Sequence, residues 1–209
     1  MDEKMSRQEK WDQTREDIEK LVNEKDGIVK TADLYTLGID YRRIQSYVKQ
    51  GILKRIKSGY YQLEDNQQTE DETILRLFPD GILTMESALY AYGYLNKKPY
   101  AYQIAINKNT SKSRFKIKYP FVQPYYTEPL VLEMGVTEIN FAKDKMKIYT
   151  KERLICDCLK YEDKMDREDL KKALKAYIKE PDKDIMQLLQ CAKARKVIQK
   201  VQSRIGMWL

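Results

Sequence analysis

Among its 209 residues this chain has no histidine. That absence removes every histidine-dependent catalytic triad, the commonest general base near neutral pH, and most zinc-site patterns. Cysteine is scarce too: Cys156, Cys158 and Cys191 are odd in number and lack a framework spacing. Three thiols without histidine cannot supply four soft metal ligands, so they are expected to be reduced, mostly buried side chains. The eight glycines include no loop able to cradle phosphate. No apolar run approaches the roughly 20 residues that span a bilayer, and residues 1–12 are polar throughout, unlike a secretion leader. These absences predict a cytoplasmic chain with no metal, no cofactor and no membrane partner.

Paired carboxylates are equally thin. Glu162-Asp163-Lys164 has the E-x-K form of some nucleases, but Pro79-Asp80 lies far upstream. Asp182-Lys183-Asp184 offers the D-x-D of nucleotidyltransferases without a preceding Gly-Ser loop. No catalytic residue is assigned, and the chain is read as a non-enzyme.

What the chain has is charge and apolar periodicity. Lysine and arginine outnumber acids by 39 to 32, a net +7, and the pI near 9.0 favours a polyanionic partner. Apolar residues make up 42%, enough for a core in one or two domains. With a mean hydropathy of -0.70, the chain reads as soluble.

Residues 27–63 are the most informative segment. Thr31 can cap a short helix that stops at Gly38, and Asp40 can cap a second helix running to Gln50 and ending at Gly51. Gly38-Ile39-Asp40 has the length to set two helices across each other. Strand-like runs at 52–57 and 60–63 then flank Lys57-Ser58-Gly59, a hairpin in the position of a wing. At about 100° per residue, Ile44, Tyr47 and Val48 share one side of the second helix. Arg42, Ser46 and Lys49 share the other, flanked by Arg43 and Gln45. The hairpin adds Lys54, Arg55 and Lys57, with Ser58 and Tyr60 at its tip. Between 28 and 63 seven residues are basic and two acidic, which concentrates positive charge where a recognition helix and wing would meet duplex DNA. The competing explanation is a solvated helix face beside a structural hairpin.

The fold class expected is α+β, with a winged helix-turn-helix over 1–65 and an α+β domain over 66–209. The first domain should gain a helix at roughly 14–24 from Ile18, Leu21 and Val22. Residues 64–70 read as a linker, and 71–78 as a helix closing at Pro79-Asp80-Gly81. In the second domain, 82–149 is strand-rich after a helix capped by Thr84, with runs YQIAI, FKIKYPF, VTEINF and KMKIY forming a small, mainly antiparallel sheet. Residues 150–209 are helical. Leu154, Ile155, Cys158 and Leu159 should line one helix, and Leu170, Ala173, Leu174, Tyr177 and Ile178 the next. A last stretch from about 183 to 205 should break near 193–196.

Two further basic groups are candidates for a second nucleic-acid surface. Lys97, Lys98, Lys108, Lys112, Arg114, Lys116 and Lys118 form an acid-free run, which could equally be the outer sides of amphipathic strands. Lys193, Lys196, Lys200 and Arg204 recur at helical spacing, for DNA backbone, for an acidic protein surface, or for solubility alone. Glu152, Arg153 and Asp157 are expected to form a structural ion pair that seats their helix.

GILTMESALYAYGYL at 81–95 and IYTKERLICDCL at 148–159, downstream of such a helix-turn-helix, resemble the AbiEi family of bacterial antitoxins. The likeness rests on Ser58-Gly59-Tyr60-Tyr61 at the wing, Ser87-Ala88-Leu89 on the first helix of the second domain, and Glu152, Arg153 and Asp157 further on. It covers roughly residues 14–180. Leu154 departs from it, standing where relatives often have threonine. The resemblance implies a repressor that binds inverted repeats in duplex DNA at its own operon. It also implies a cognate nucleotidyltransferase-like toxin from that operon, countered functionally with or without direct contact. The alternatives are a ligand-sensing winged-helix regulator without a toxin, and a nucleic-acid-processing enzyme with a DNA-binding head.

Overall fold

The computed structural model describes residues 6–66 and 68–208 of a chain that mixes helices with two small sheets. It divides into two units. The first holds the described residues as far as Arg76, together with Ile117–Tyr119, and the second takes up the chain from Leu77.

In the first unit, α1 spans Arg7–Glu24 and starts earlier than the apolar stripe of Ile18 and Val22 alone predicts. The reason is a capping box outside that stripe: Ser6 Oγ accepts from the Glu9 amide at 3.1 Å, and Glu9 Oε2 accepts from the Ser6 amide at 2.6 Å. Next come β1 (Val29–Lys30), α2 (Thr31–Thr36), α3 (Tyr41–Lys49), β2 (Leu53–Lys57) and β3 (Tyr60–Leu63). Thr31 does not cap α2; it is the first helical residue, and Asp33 Oδ2 reaches back to the Lys30 amide at 2.7 Å. The antiparallel sheet runs β1-β3-β2. Ile18, Val22, Val29, Leu34, Ile39, Ile44, Tyr47, Leu53 and Tyr61 form one buried cluster under these elements. The helix at the division, α4, spans Glu70–Leu77.

The second unit continues with β4 (Ile82–Leu83), α5 (Met85–Ala91), β5 (Tyr102–Asn107), β6 (Val122–Thr127), α6 (Pro129–Leu132), β7 (Val136–Phe141) and β8 (Asp144–Tyr149). The sheet order is β6-β5-β4-β8-β7. It is mixed rather than mainly antiparallel, since β4 lies parallel to β8 and β5 parallel to β6. Parallel neighbours need a long crossover, and residues 108–121, with a short 3-10 turn at Lys112–Phe115, supply the one before β6. FKIKYPF therefore belongs to that crossover, and the strand is the following VQPYYT. Pro124 sits inside β6 without breaking it, because β6 is an edge strand and proline's missing N–H is tolerated there.

Four helices close the chain: α7 (Lys151–Lys160), α8 (Arg167–Ile178), α9 (Ile185–Arg195) and α10 (Ile198–Ile205). Thr84 precedes α5 without a side-chain capping bond. Instead Ser87 and Gln103 lock α5 to β5 reciprocally, the Ser87 amide donating to Gln103 Oε1 at 3.1 Å and the Gln103 amide to Ser87 Oγ at 2.9 Å. The expected one-sided stripe on α7 is exceeded, because every residue from Glu152 to Leu159 is buried. Among the described residues no helix is long and apolar enough to cross a membrane.

Candidate nucleic-acid interface

The geometry of α3 begins at Asp40, whose Oδ1 accepts from the Arg43 amide at 2.8 Å. Its far end is released by Gly51 at φ +70, a left-handed conformation that glycine adopts without strain. Ile44 and Tyr47 anchor the helix in the core, and Val48 is half-buried beside them. On the opposite side Arg42 and Lys49 are exposed, Arg43 is exposed on the flank, and none of the three has an ion pair among the described residues. Arg43 donates to the Tyr47 hydroxyl at 3.1 Å, which leans its guanidinium along the helix. Ser46 is half-buried and accepts from Gln50 Nε2 at 2.9 Å. Gln45, expected at the edge of the outward face, is half-buried with Nε2 enclosed.

The hairpin divides its charges. Lys54 and Arg55 are exposed, whereas Lys57 is only 8% exposed. A bulge between Arg55 and Lys57 turns that side chain under the tip, with Nζ 4.2 Å from the Tyr60 ring centroid. Lys57 is thus a packed cation and not an outward contact, which corrects its place in the expected wing surface. Ser58 is exposed and Tyr60 half-buried, with Gly59 at φ +77 forming the turn.

The two further basic groups fare differently. Lys97, Lys112 and Lys116 are exposed, and Lys98 Nζ lies 4.9 Å from the Tyr102 ring. Lys108 pairs with Glu128 at 2.6 Å, and Arg114 grips both oxygens of Asp80 while stacking over Phe78. The hydrogen bond from Arg114 holds the Asp80 carboxyl below its ordinary range. Lys118 groups with the first unit. The run from 97 to 118 is therefore not one free surface: two members are committed to acids that lie outside it in sequence.

The spacing of Lys193, Lys196, Lys200 and Arg204 does not produce a stripe. Lys196 takes φ +60 and ends α9, and the Val197 amide bonds back to the Ala192 carbonyl at 2.8 Å. A break there divides the four residues between α9 and α10. Lys200 and Arg204 then converge on Glu162, at 2.8 and 3.3 Å. Lys193 and Lys196 remain exposed.

Sequence reasoning found only part of the charged centre of the second unit. Arg153 has no exposed surface; its Nε donates to Asp157 Oδ2 at 3.1 Å and its Nη1 to the carbonyls of Val131 and Met134 at 2.6 and 2.8 Å. The ion pair expected within α7 is present, but Arg195 of α9 joins it, donating to the other oxygen of Asp157. Glu152 does not pair with Arg153. It accepts from the Asp184 amide at 3.1 Å and from the Tyr177 hydroxyl at 3.5 Å. No periodicity could signal Arg195, which lies far along the chain on another helix. These groups tie α7 to α9, to α8, to α6 and to the segment after α6.

The three cysteines are buried and free, and burial pushes the thiols of Cys156, Cys158 and Cys191 upward, away from thiolate chemistry. Among the described residues no cluster of acids and cysteines is arranged to hold a metal ion. Comparison of the chain with protein-family models and with curated proteins gave no match.

Proposed function

We propose that the first unit is a winged helix-turn-helix that binds duplex DNA, and that the chain is a repressor and antitoxin of the AbiEi type. One observation carries the DNA reading. Helix α3 is held by Ile44 and Tyr47 on one side and offers Arg42 and Lys49 on the other, with Arg43 at the flank. None of the three is in an ion pair among the described residues. The exposed Lys54 and Arg55 lie on the hairpin that follows it. A helix of this kind fits the major groove, with arginine able to read a guanine edge and lysine to neutralise phosphate. Inverted repeats upstream of the gene are the duplex expected to bind. The toxin-countering role rests on the resemblance of the 81–95 and 148–159 motifs, and it is assigned to the second unit.

The test uses the full chain and labelled duplex from its own promoter in fluorescence anisotropy. Arg42→Ala should lose roughly 1–3 kcal/mol if it reads a base, and Arg42→Ala with Lys49→Ala should abolish binding at moderate salt. Unchanged binding by that double variant would show the assignment to be wrong. For the second role, a toxin gene from the same operon is expressed from an independent promoter beside each variant. Reversing the charge of Arg42 and Lys49 should release the promoter yet still protect the cells. A stably folded variant that fails to protect would mean that one surface serves both roles.

A further inference from the structure

Helix α8 departs from its expected packing in a way that leaves a groove. At 100° per residue Ala173 and Tyr177 point into the core and are buried. Leu170, Leu174 and Ile178 follow at i, i+4 and i+8, but they are only half-buried, forming an apolar line beside the core face. Next round the helix come Arg167, Lys171 and Lys175 at the same spacing, with Lys179 just beyond. Across from them stand Trp208, 65% exposed, and Arg204. Beside these lie Asp163 and the Glu162 carboxylate that Lys200 and Arg204 hold, so five bases face two acids around the opening. Together they bound an open groove of about 1040 Å³. Arg167, Lys175 and Lys179 have no ion pair among the described residues, and Lys171 reaches Glu168 only at 3.8 Å.

We propose that this groove docks an acidic amphipathic helix of a partner protein. The floor needs an apolar occupant, because half-exposed leucine, isoleucine and tryptophan gain free energy only when apolar surface covers them. The rim needs a negative one. A DNA backbone would satisfy the lysines and leave the floor wet. A bilayer is too broad to enter a concave slot between α8 and Trp208. A helix about two turns long matches the floor, since the eight steps from Leu170 to Ile178 rise about 12 Å. Its leucine-type side chains at i, i+3, i+4 and i+7 would meet that line, with glutamates above facing Lys175 and Lys179. Every residue used lies in the second unit, so the proposal stands apart from the duplex-binding reading.

The experiment uses the full chain and two labelled 15-residue helical peptides, each with leucine at i, i+3, i+4 and i+7. One carries glutamate at its polar positions and the other lysine. The glutamate peptide should bind saturably and at least tenfold more tightly than the lysine peptide. Lys175→Glu with Lys179→Glu should weaken it tenfold or more, and Leu174→Ser should do so without changing charge. Circular dichroism confirms that each variant is folded, and the charge pair, being exposed, tests the proposal even if Leu174→Ser unfolds. No saturable binding, equal binding of the two peptides, or indifference to the charge reversal overturns it. So does a dimer in sedimentation velocity that Leu174→Ser dissociates, since the occupant would then be a second copy. Phosphatidylserine vesicles or duplex DNA that bind through Lys175 and Lys179, while the glutamate peptide does not, overturn it as well.

Discussion

In the first unit the basic side chains of α3 stand outside the core, while in the second two arginines sit within it. Arg42 is exposed and without an acid, whereas Arg153 has no surface left and shares Asp157 with Arg195. The residue type is the same, and its surroundings decide what it does. An exposed guanidinium keeps its hydration and its reach for an external anion. A buried one spends its donors on the carboxylate and on the carbonyls of Val131 and Met134, tying α6 and the segment after it to α7. The first arrangement suits recognition and the second suits architecture.

The sharpest way to break this comparison is at Asp157. Asp157→Ala leaves Arg153 and Arg195 facing each other without a counter-charge, and should cost about 3–5 kcal/mol. Arg42→Ala should change stability by no more than about 0.5 kcal/mol. Urea unfolding followed by circular dichroism compares the two. Nη2 of both Arg153 and Arg195 is enclosed without a hydrogen-bond partner among the described residues, so the network is incompletely satisfied. The triple replacement Arg153→Met, Asp157→Leu, Arg195→Met should therefore cost less than Asp157→Ala alone. A triple variant less stable than the single one would show that the charges themselves, beyond their mutual neutralisation, hold this centre.

Next in size is Gly135, which sits at φ +69 against the same arginine. A Cβ built there would come 2.7 Å from Arg153 Cβ, and the Gly135 carbonyl accepts from the Thr150 amide at 2.7 Å. Gly135→Ala combines a left-handed backbone with a collision against a side chain that cannot move, and should cost about 1–3 kcal/mol. Gly38→Ala in the first unit keeps the φ penalty, at +69, but meets nothing within 4 Å. The difference between the two melting shifts isolates the collision, and equal shifts would mean that Arg153 can yield.

The outward face of α3 was legible because local rules decide it: a capping carboxylate, a terminal glycine and a 3.6-residue period. Distance in sequence hides the rest. Arg195 reaches Asp157 from another helix, and Asp80 and Glu128 each take one member of a basic run that contains no acid of its own. Lys57 was misplaced because charge count alone does not reveal the bulge beside it, where the side chain packs over the Tyr60 ring. The α8 stripe reads as one apolar line, and the structure divides it, because a helix covers only part of a wide apolar face with its neighbours. A smaller test bears on the local rules. Asp40→Ala removes the α3 cap and should cost about 1 kcal/mol. In a Trp208→Phe background, the fluorescence of Trp11, whose ring lies 5.3 Å from Tyr47, reports the loss. No loss would mean that α3 is set by its packing alone.

The smallest expected effect concerns Glu162, where two bases of the 193–204 group are used internally. A hydrogen bond from Lys200, helped by the charge of Arg204, holds this carboxyl below its ordinary range. Lys200 also donates to the Leu159 carbonyl at 2.9 Å, fixing α10 against the end of α7. A carboxyl whose folded value is depressed binds its proton more readily in the unfolded chain. Its contribution is therefore fully present above the ordinary glutamate value of about 4.3, and fades as pH falls toward the folded value. Glu162→Gln removes that titration, so the variant should lose less stability than the parent on acidification from neutrality. Being near the surface, the pair contributes modestly, and high salt should shrink the difference. Identical acid limbs for parent and variant would show Lys200 and Arg204 uncommitted to Glu162. They would then count with Lys193 and Lys196 as cations available to an outside partner, and the division between an outward-charged first unit and an inward-charged second would weaken at this corner.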